Sequence, residues 1–214
     1  PVAELPEHAD VIVECATGEA LAEIAKAALG AGKTLIAVSV GAIAAQPEIL
    51  DLAEAHGGQL QIATGALPGL DSIRAAAEGE IRSVKLTSRV RPDSLVHEAY
   101  ILDKSFDLAK PLEAPIKVFE GTAGEAAAAF PRHFNVAVTL SLAGIGFDKT
   151  EVEVWADAEI RGAVHRIQVD AADISLDLES RNRPSETNPR TSRVVAPSIM
   201  ATLRSLVSPV RTGN

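Results

Sequence analysis

Up to about residue 64, apolar residues come in unbroken blocks; over much of the rest they fall at every second position. Residues 10–16 (Asp-Val-Ile-Val-Glu-Cys-Ala) and 34–40 are short, nearly all-apolar runs, as expected of strands covered on both faces, and 60–63 reads as a third, shorter strand. Between the first two, Leu21, Ile24, Ala25 and Ala28 recur at helical spacing over 20–29, which predicts a helix with one buried face. Gly30 and Gly32 end it. Residues 47–55 form a second helix, with Pro47 in its first turn. Strand, helix, strand, helix, strand with short joints predicts a parallel sheet. Ligands of such sheets bind beyond the carboxyl ends of the strands. Those ends are Ala16-Thr17-Gly18, Ser39-Val40-Gly41-Ala42 and Thr64-Gly65-Ala66, small residues that let a ligand approach the backbone.

The pattern changes after residue 70. A helix over 71–78 is followed by alternation over 81–91, with Val84, Leu86, Ser88 and Val90 on one side and Lys85, Thr87, Arg89 and Arg91 on the other. Residues 92–117, with three prolines and mixed charge, read mostly as loop. Thr122 followed by Glu125 is a capping box, and the helix it opens ends at Pro131. A further helix covers 135–142. Residues 150–156 alternate, residues 162–169 carry a second such strand, and 173–178 a third. This half therefore reads as an α+β unit, its mostly antiparallel sheet covered on one face by helices. A polar loop over 181–190 leads to a last helix over 191–207. The fold class is α/β: a partial Rossmann-type parallel sheet plus a second α+β catalytic domain. The divisions fall at 1–64, 65–187 and 188–214, the last being a helix that returns to the first unit.

Composition narrows the functions. The 214 residues are 47% hydrophobic but only 3% aromatic, and the net charge is −9 with a pI near 5.1. Such a surface repels phosphate backbones and anionic membranes, which argues against nucleic-acid and membrane partners. No run of eighteen apolar residues occurs. The single cysteine, Cys15, excludes an internal disulfide and fits a reducing cytoplasm. The opening Pro-Val-Ala-Glu-Leu-Pro-Glu-His is acidic and proline-broken, with no signal-peptide pattern. Because it starts at Pro1, the chain reads as beginning inside a longer protein.

Several chemistries leave no trace: Gly-x-Ser-x-Gly, the P-loop, Cys-x-x-Cys and His-Glu-x-x-His are all absent, so no metal site is expected. The Gly-x-Gly-x-x-Gly fingerprint of the first strand–turn–helix of a dinucleotide fold is absent too. The chain reads as starting at a later strand, with about two βαβ-type segments, each on the order of 30 residues, upstream. Of five histidines, His8 and His56 fall in solvated joints, His97 in an ambiguous stretch beside Glu98, and His133 in a helix–helix connection at the surface. His165 differs, because alternation puts it on one face with Ile167 and Val169. An imidazole there is either satisfied by a hydrogen bond inside a core or lines a cavity that receives a substrate. Asn135 is either the N-cap of its helix or, with the helix's free amides, a contact for a polar cofactor group. Gly65-Ala66 is either an interdomain loop or part of the ligand cleft. The turn Asn188-Pro-Arg-Thr-Ser192 reads as a helix start capped by Thr191 or Ser192.

Taken in order, Thr64-Gly-Ala-Leu-Pro-Gly-Leu-Asp71, Phe119-Glu-Gly-Thr-Ala-Gly-Glu-Ala126, Phe130-Pro-x-x-x-Asn135-Val-Ala-Val-Thr-Leu, Leu142-Ala-Gly144, the His165-Arg-Ile strand and Asn188-Pro-Arg-Thr-Ser192 resemble the L-aspartate dehydrogenases over nearly the whole chain. The resemblance implies a cytoplasmic homodimeric oxidoreductase linked to NAD biosynthesis. It would use NAD or NADP to convert L-aspartate through iminosuccinate to oxaloacetate and ammonia. It also implies that His165 is the catalytic histidine and that Ala66 and Asn135 contact the nicotinamide cofactor. On this reading His165 is a general base with an ordinary pKa near 6.5. Lys85, Arg89, Arg166 and Arg190 are candidates for the cationic pocket that two substrate carboxylates need. Homoserine dehydrogenase and dihydrodipicolinate reductase share the two-domain plan and are the rival enzymes. A non-catalytic fragment is the rival of another class.

Overall fold

The computed structural model describes residues 1–131, 133–188 and 191–213. A short helix α1 (Leu5–His8) leads into β1 (Val11–Glu14), α2 (Gly18–Gly30), β2 (Thr34–Ala37), α3 (Glu48–His56) and β3 (Gln59–Ile62). The three strands form a parallel sheet in the order β1-β2-β3, as the apolar blocks predict. The buried face of α2 consists of Leu21, Ile24, Ala25, Ala28 and Leu29. These pack with Leu35, Ala37, Ile43 and Ile49 in one core. The second apolar block is cut short: β2 stops at Ala37, and Val40–Ala44 turns into a 3-10 helix.

The second half runs α4 (Leu70–Ala77), β4 (Ile81–Val90), α5 (Pro92–Leu95), α6 (Ala99–Asp103), β5 (Ile116–Thr122), α7 (Ala123–Ala129), α8 (Asn135–Ala143), β6 (Thr150–Ala156), β7 (Val164–Ala171), β8 (Ser175–Arg181) and α9 (Val195–Val207). Its five strands lie in the order β5-β6-β4-β7-β8. Only β4 and β6 pair parallel; the other three pairings are antiparallel. The region 92–117 is mostly loop, as expected, but it also holds two short helices. Pro92 opens α5, where its missing N–H costs nothing, and α6 brings Tyr100 against Phe119 and Phe130. Pro92 thus starts an element rather than breaking one.

The capping box forms as expected: the Glu125 amide donates to Thr122 Oγ1 at 3.3 Å, and the Thr122 amide donates to Glu125 Oε2 at 2.7 Å. Helix α8 joins the two halves. Five consecutive residues, Ala137 to Ser141, are buried, the mark of a helix covered all round. Ala137 and Leu140 belong to the core of the five-stranded sheet, and Val138 to that of the parallel sheet. The amino end of α8 therefore lies where the two cores meet. By contrast, α9 buries none of its residues.

Candidate active site

His165 is buried, with 6% of its surface exposed. The strand alternates as expected: Val164, His165, Ile167, Val169 and Ala171 are buried, whereas Arg166, Gln168 and Asp170 are exposed. Antiparallel pairing sets Ser88 of β4 on one side of His165 and Ser180 of β8 on the other. Ser88 Oγ lies 3.0 Å from His165 Nδ1 and is itself fully buried. Nε2 makes no hydrogen bond among the described residues. Nor is it sealed, because the one sealed, unbonded side-chain N or O atom among them is Asp157 Oδ2, which lies in an ion pair with Arg89. The ring is thus held by Nδ1, while Nε2 keeps what remains of its access.

Burial pushes the imidazole pKa down from 6.5 to about 4, because removing water penalises the charged ring. An ordinary pKa near 6.5 is therefore corrected: at neutral pH this ring carries no charge. The two readings of a histidine on an apolar face also prove compatible, since one nitrogen is satisfied inside the core and the other reaches its edge.

A chain of hydrogen bonds ties three segments beside this row. Ser192 Oγ donates to Asn182 Oδ1 (2.9 Å), Asn182 Nδ2 to Ser180 Oγ (3.2 Å), and Ser180 Oγ to the Ala66 carbonyl (3.0 Å). Ala66 is thereby brought to the strand next to His165. Ser192 is not the N-cap of α9 as expected: Val194 is, with no cap from its own side chain, and Ser192 Oγ instead accepts the Val194 amide at 3.4 Å just before the helix.

Asn135 is not an N-cap either. Phe134 holds that position, and Asn135 is the first helical residue. Its Oδ1 accepts the Gly41 amide at 2.8 Å, linking α8 to the turn after β2. No hydrogen bond joins Asn135 to Ala66 or His165 among the described residues. A Cβ on Gly41 would lie 2.8 Å from Asn135 Oδ1, so glycine is needed for this approach.

One residue escaped sequence reasoning. Glu14 ends β1 and is 1% exposed. Its carboxylate accepts the amides of Ala16 (2.7 Å), Val38 (3.1 Å) and Ser39 (2.9 Å), and Ser39 Oγ donates to the Ala16 carbonyl at 3.0 Å. One anion thus fixes the loops at two adjacent strand ends. The available signal was a lone carboxylate closing an all-apolar run. A cleft of about 420 Å³ runs along β1, lined by Val11, Ile12, Val13, Cys15 and Glu14 among others. It is not the reactive centre, because Glu14 is committed to amides and burial pushes the Cys15 thiol pKa up.

Residues 71–206 match the family described as aspartate dehydrogenase, C-terminal, and residues 1–63 match the NAD binding domain of homoserine dehydrogenase. L-aspartate dehydrogenase 3 of Bordetella bronchiseptica is 46% identical, over 100% of this chain and 78% of its own. The L-aspartate dehydrogenase of Bradyrhizobium diazoefficiens is 44% identical, over 95% and 72%. The chain belongs to the L-aspartate dehydrogenase family. The crystal structure of the Thermotoga maritima aspartate dehydrogenase superposes with a TM-score of 0.76 at 25% identity, over 95% of this chain and 78% of that one. An archaeal homoserine dehydrogenase in complex with NADPH shares the fold, with a TM-score of 0.55 at 14% identity over 100% and 77%.

A family that handles a dicarboxylic amino acid needs cationic or amide donors, and three of the expected cations are ruled out. Lys85 and Arg89 alternate with the buried Ser88 on β4, and Arg166 follows His165 on β7, so all three face away from the imidazole. Each is also engaged: Lys85 with Glu153 at 2.9 Å, Arg89 with Asp157, and Arg166 with Asp177. Arg190 lies outside the described residues. His8 and His56 are exposed as expected, and His97, in the stretch that sequence left ambiguous, is exposed too. His133 is less of a surface residue than expected, as its Nε2 meets Glu98 Oε1 at 3.0 Å and both side chains are 14% exposed.

The residues present fit the nicotinamide end of a dinucleotide. Small residues line the strand ends, and a glycine makes way for the Asn135 amide.

Proposed function

We propose that this protein oxidises L-aspartate to iminosuccinate, which gives oxaloacetate and ammonia, using NAD or NADP. The observation that carries the reading is His165: buried on a core face, held through Nδ1 by Ser88, with Nε2 left open. The nicotinamide, when bound, supplies the acceptor for the hydride of the aspartate α-carbon. The chain's own part is to orient and to handle protons. Asn135 and Ala66 hold the cofactor end, and the fixed loops on Glu14 keep its path open. Proton exchange with the substrate runs through Nε2, which takes up a proton during oxidation and returns it in reverse. The low-polarity surroundings keep the ring neutral until a dicarboxylate lies against it; nearby negative charge raises a histidine pKa.

The reading includes a homodimer, a cytoplasmic location, a supply role in NAD biosynthesis, and the division at 1–64, 65–187 and 188–214. The match of residues 71–206 to the aspartate dehydrogenase family favours aspartate over homoserine or dihydrodipicolinate as substrate.

Steady-state rates with L-aspartate, for wild type and His165→Ala, test the proposal. Losing a proton-transfer group costs about 10²- to 10⁴-fold, so turnover of His165→Ala falls at least about a hundredfold while the fold survives. A variant with near-normal turnover removes His165 from the mechanism. A wild type that prefers homoserine removes the substrate assignment.

A further inference from the structure

The Ser88–His165 pair determines more than the ring's position. β4 is a central strand, laddered to β6 on one side and to β7 on the other, so the backbone around Ser88 is committed to the sheet. The Ser88 hydroxyl is fully buried and cut off from water. Its one hydrogen-bond partner among the described residues is His165 Nδ1, at 3.0 Å. A buried hydroxyl must place its proton on an acceptor. If Nδ1 carried the ring proton, it would donate to Ser88 Oγ, and the hydroxyl proton would have nowhere to go. If the hydroxyl donates to the Nδ1 lone pair, both groups are satisfied. A neutral imidazole has one N–H and one lone pair, so the ring proton then sits on Nε2, the nitrogen that stays open.

We propose that Ser88 is a positioning residue that holds neutral His165 as its Nε2–H tautomer, so that the ring meets its ligand as a hydrogen-bond donor to a carboxylate or carbonyl oxygen. The tautomer stands on the geometry alone; the donor role rests on the function proposed above. A neutral histidine that polarises a substrate oxygen is a recognised catalytic device. Proton uptake at Nε2 requires the ring proton to leave Nε2 for Nδ1, which makes the Ser88 hydroxyl an acceptor and leaves its own proton unpaired, at the cost of about one hydrogen bond. The resting protein is therefore set for donation, and acceptance is the state that must be reached.

The test is nitrogen-15 NMR of the protein labelled at its histidine rings, with the His165 signals assigned by their loss in His165→Gln. At pH 7 the wild type should show a pyridine-type Nδ1 and a pyrrole-type Nε2. Ser88→Ala should mix or invert the two tautomers, and Ser88→Thr, which keeps a hydroxyl, should restore the wild-type pattern. In turnover with L-aspartate, Ser88→Ala should lose about three- to tenfold in kcat/KM, the equivalent of one hydrogen bond, and Ser88→Thr should recover most of it. A pyrrole-type Nδ1 in the wild type overturns the proposal, whether or not the Ser88 variants fold. An unchanged pattern in Ser88→Ala overturns the role of Ser88. Should the tautomer be as stated while His165→Ala keeps its turnover, the catalytic reading fails and the tautomer stands. With turnover lost and the tautomer reversed, the opposite holds.

Discussion

Replacing His165 with asparagine should remove a specific dependence of stability on acid. The carboxamide introduced by His165→Asn cannot titrate, but its oxygen can still accept from Ser88. In the unfolded chain the imidazole takes up a proton near pH 6.5; in the folded protein it does so only at about 4. Between these values the unfolded state binds a proton that the native state refuses, so stability falls as pH falls. The contribution is complete above pH 6.5 and gone at about pH 4. At 1.36 kcal/mol per unit of difference, the window is worth about 3 kcal/mol. Lowered carboxylates such as Asp10, Asp107 and Asp177 also lose their pairing with acid, but they are common to both chains and cancel in the difference. Urea unfolding of wild type and His165→Asn at intervals from pH 4 to 7.5 measures it. Wild type should lose about 3 kcal/mol more than the variant on going from pH 7 to 4. A difference that stays flat across that window, or runs the other way, would show that His165 is not buried as a neutral ring.

Two further substitutions probe the loops around the site. Gly69 precedes α4 at φ +68°, and a Cβ there would meet Leu178 Cδ1 at 2.3 Å. The side chain of Leu178 can turn aside but the backbone cannot, so Gly69→Ala should cost about 1–2 kcal/mol, read as a lower urea midpoint with an unchanged slope. Gly41→Ala sits at no strained angle but drives the Asn135 amide away from the turn after β2. It should raise KM for the nicotinamide cofactor and leave kcat nearly intact, whereas an unchanged KM would separate Asn135 from cofactor binding.

Much of the architecture is legible in the sequence because it is written in local periods. Unbroken apolar runs mark the parallel strands, although only β2 is buried along most of its length and β1 and β3 keep exposed positions, and alternation marks strands with one buried side. Thr122 and Glu125 announce a helix start from three residues apart. The same alternation separates His165 from Arg166, and Ser88 from Lys85 and Arg89. Region 92–117 is mostly loop as its prolines suggest, but its two short helices stay hidden because proline counts as a breaker unless its place in the element is known: Pro92 is a helix opener. Asn135 misleads as a cap because residue type alone does not reveal whether Phe134 or Asn135 takes the non-helical angles.

The chain by itself determined the kinds of elements, the face each presents and the family to which they belong, since all three depend on residues close together or on ordered motifs. Only the tertiary structure decided who stands beside whom. Ser88 meets His165 across 77 positions, Gly41 meets Asn135 across 94, and Ser180 meets Ala66 across 114. Those meetings depend on strand register and on a helix lodged between two cores, which are set by the packing of the whole molecule. A depressed histidine pKa and a chosen tautomer belong to that level too, because both arise from the water that folding removes and the single partner it leaves.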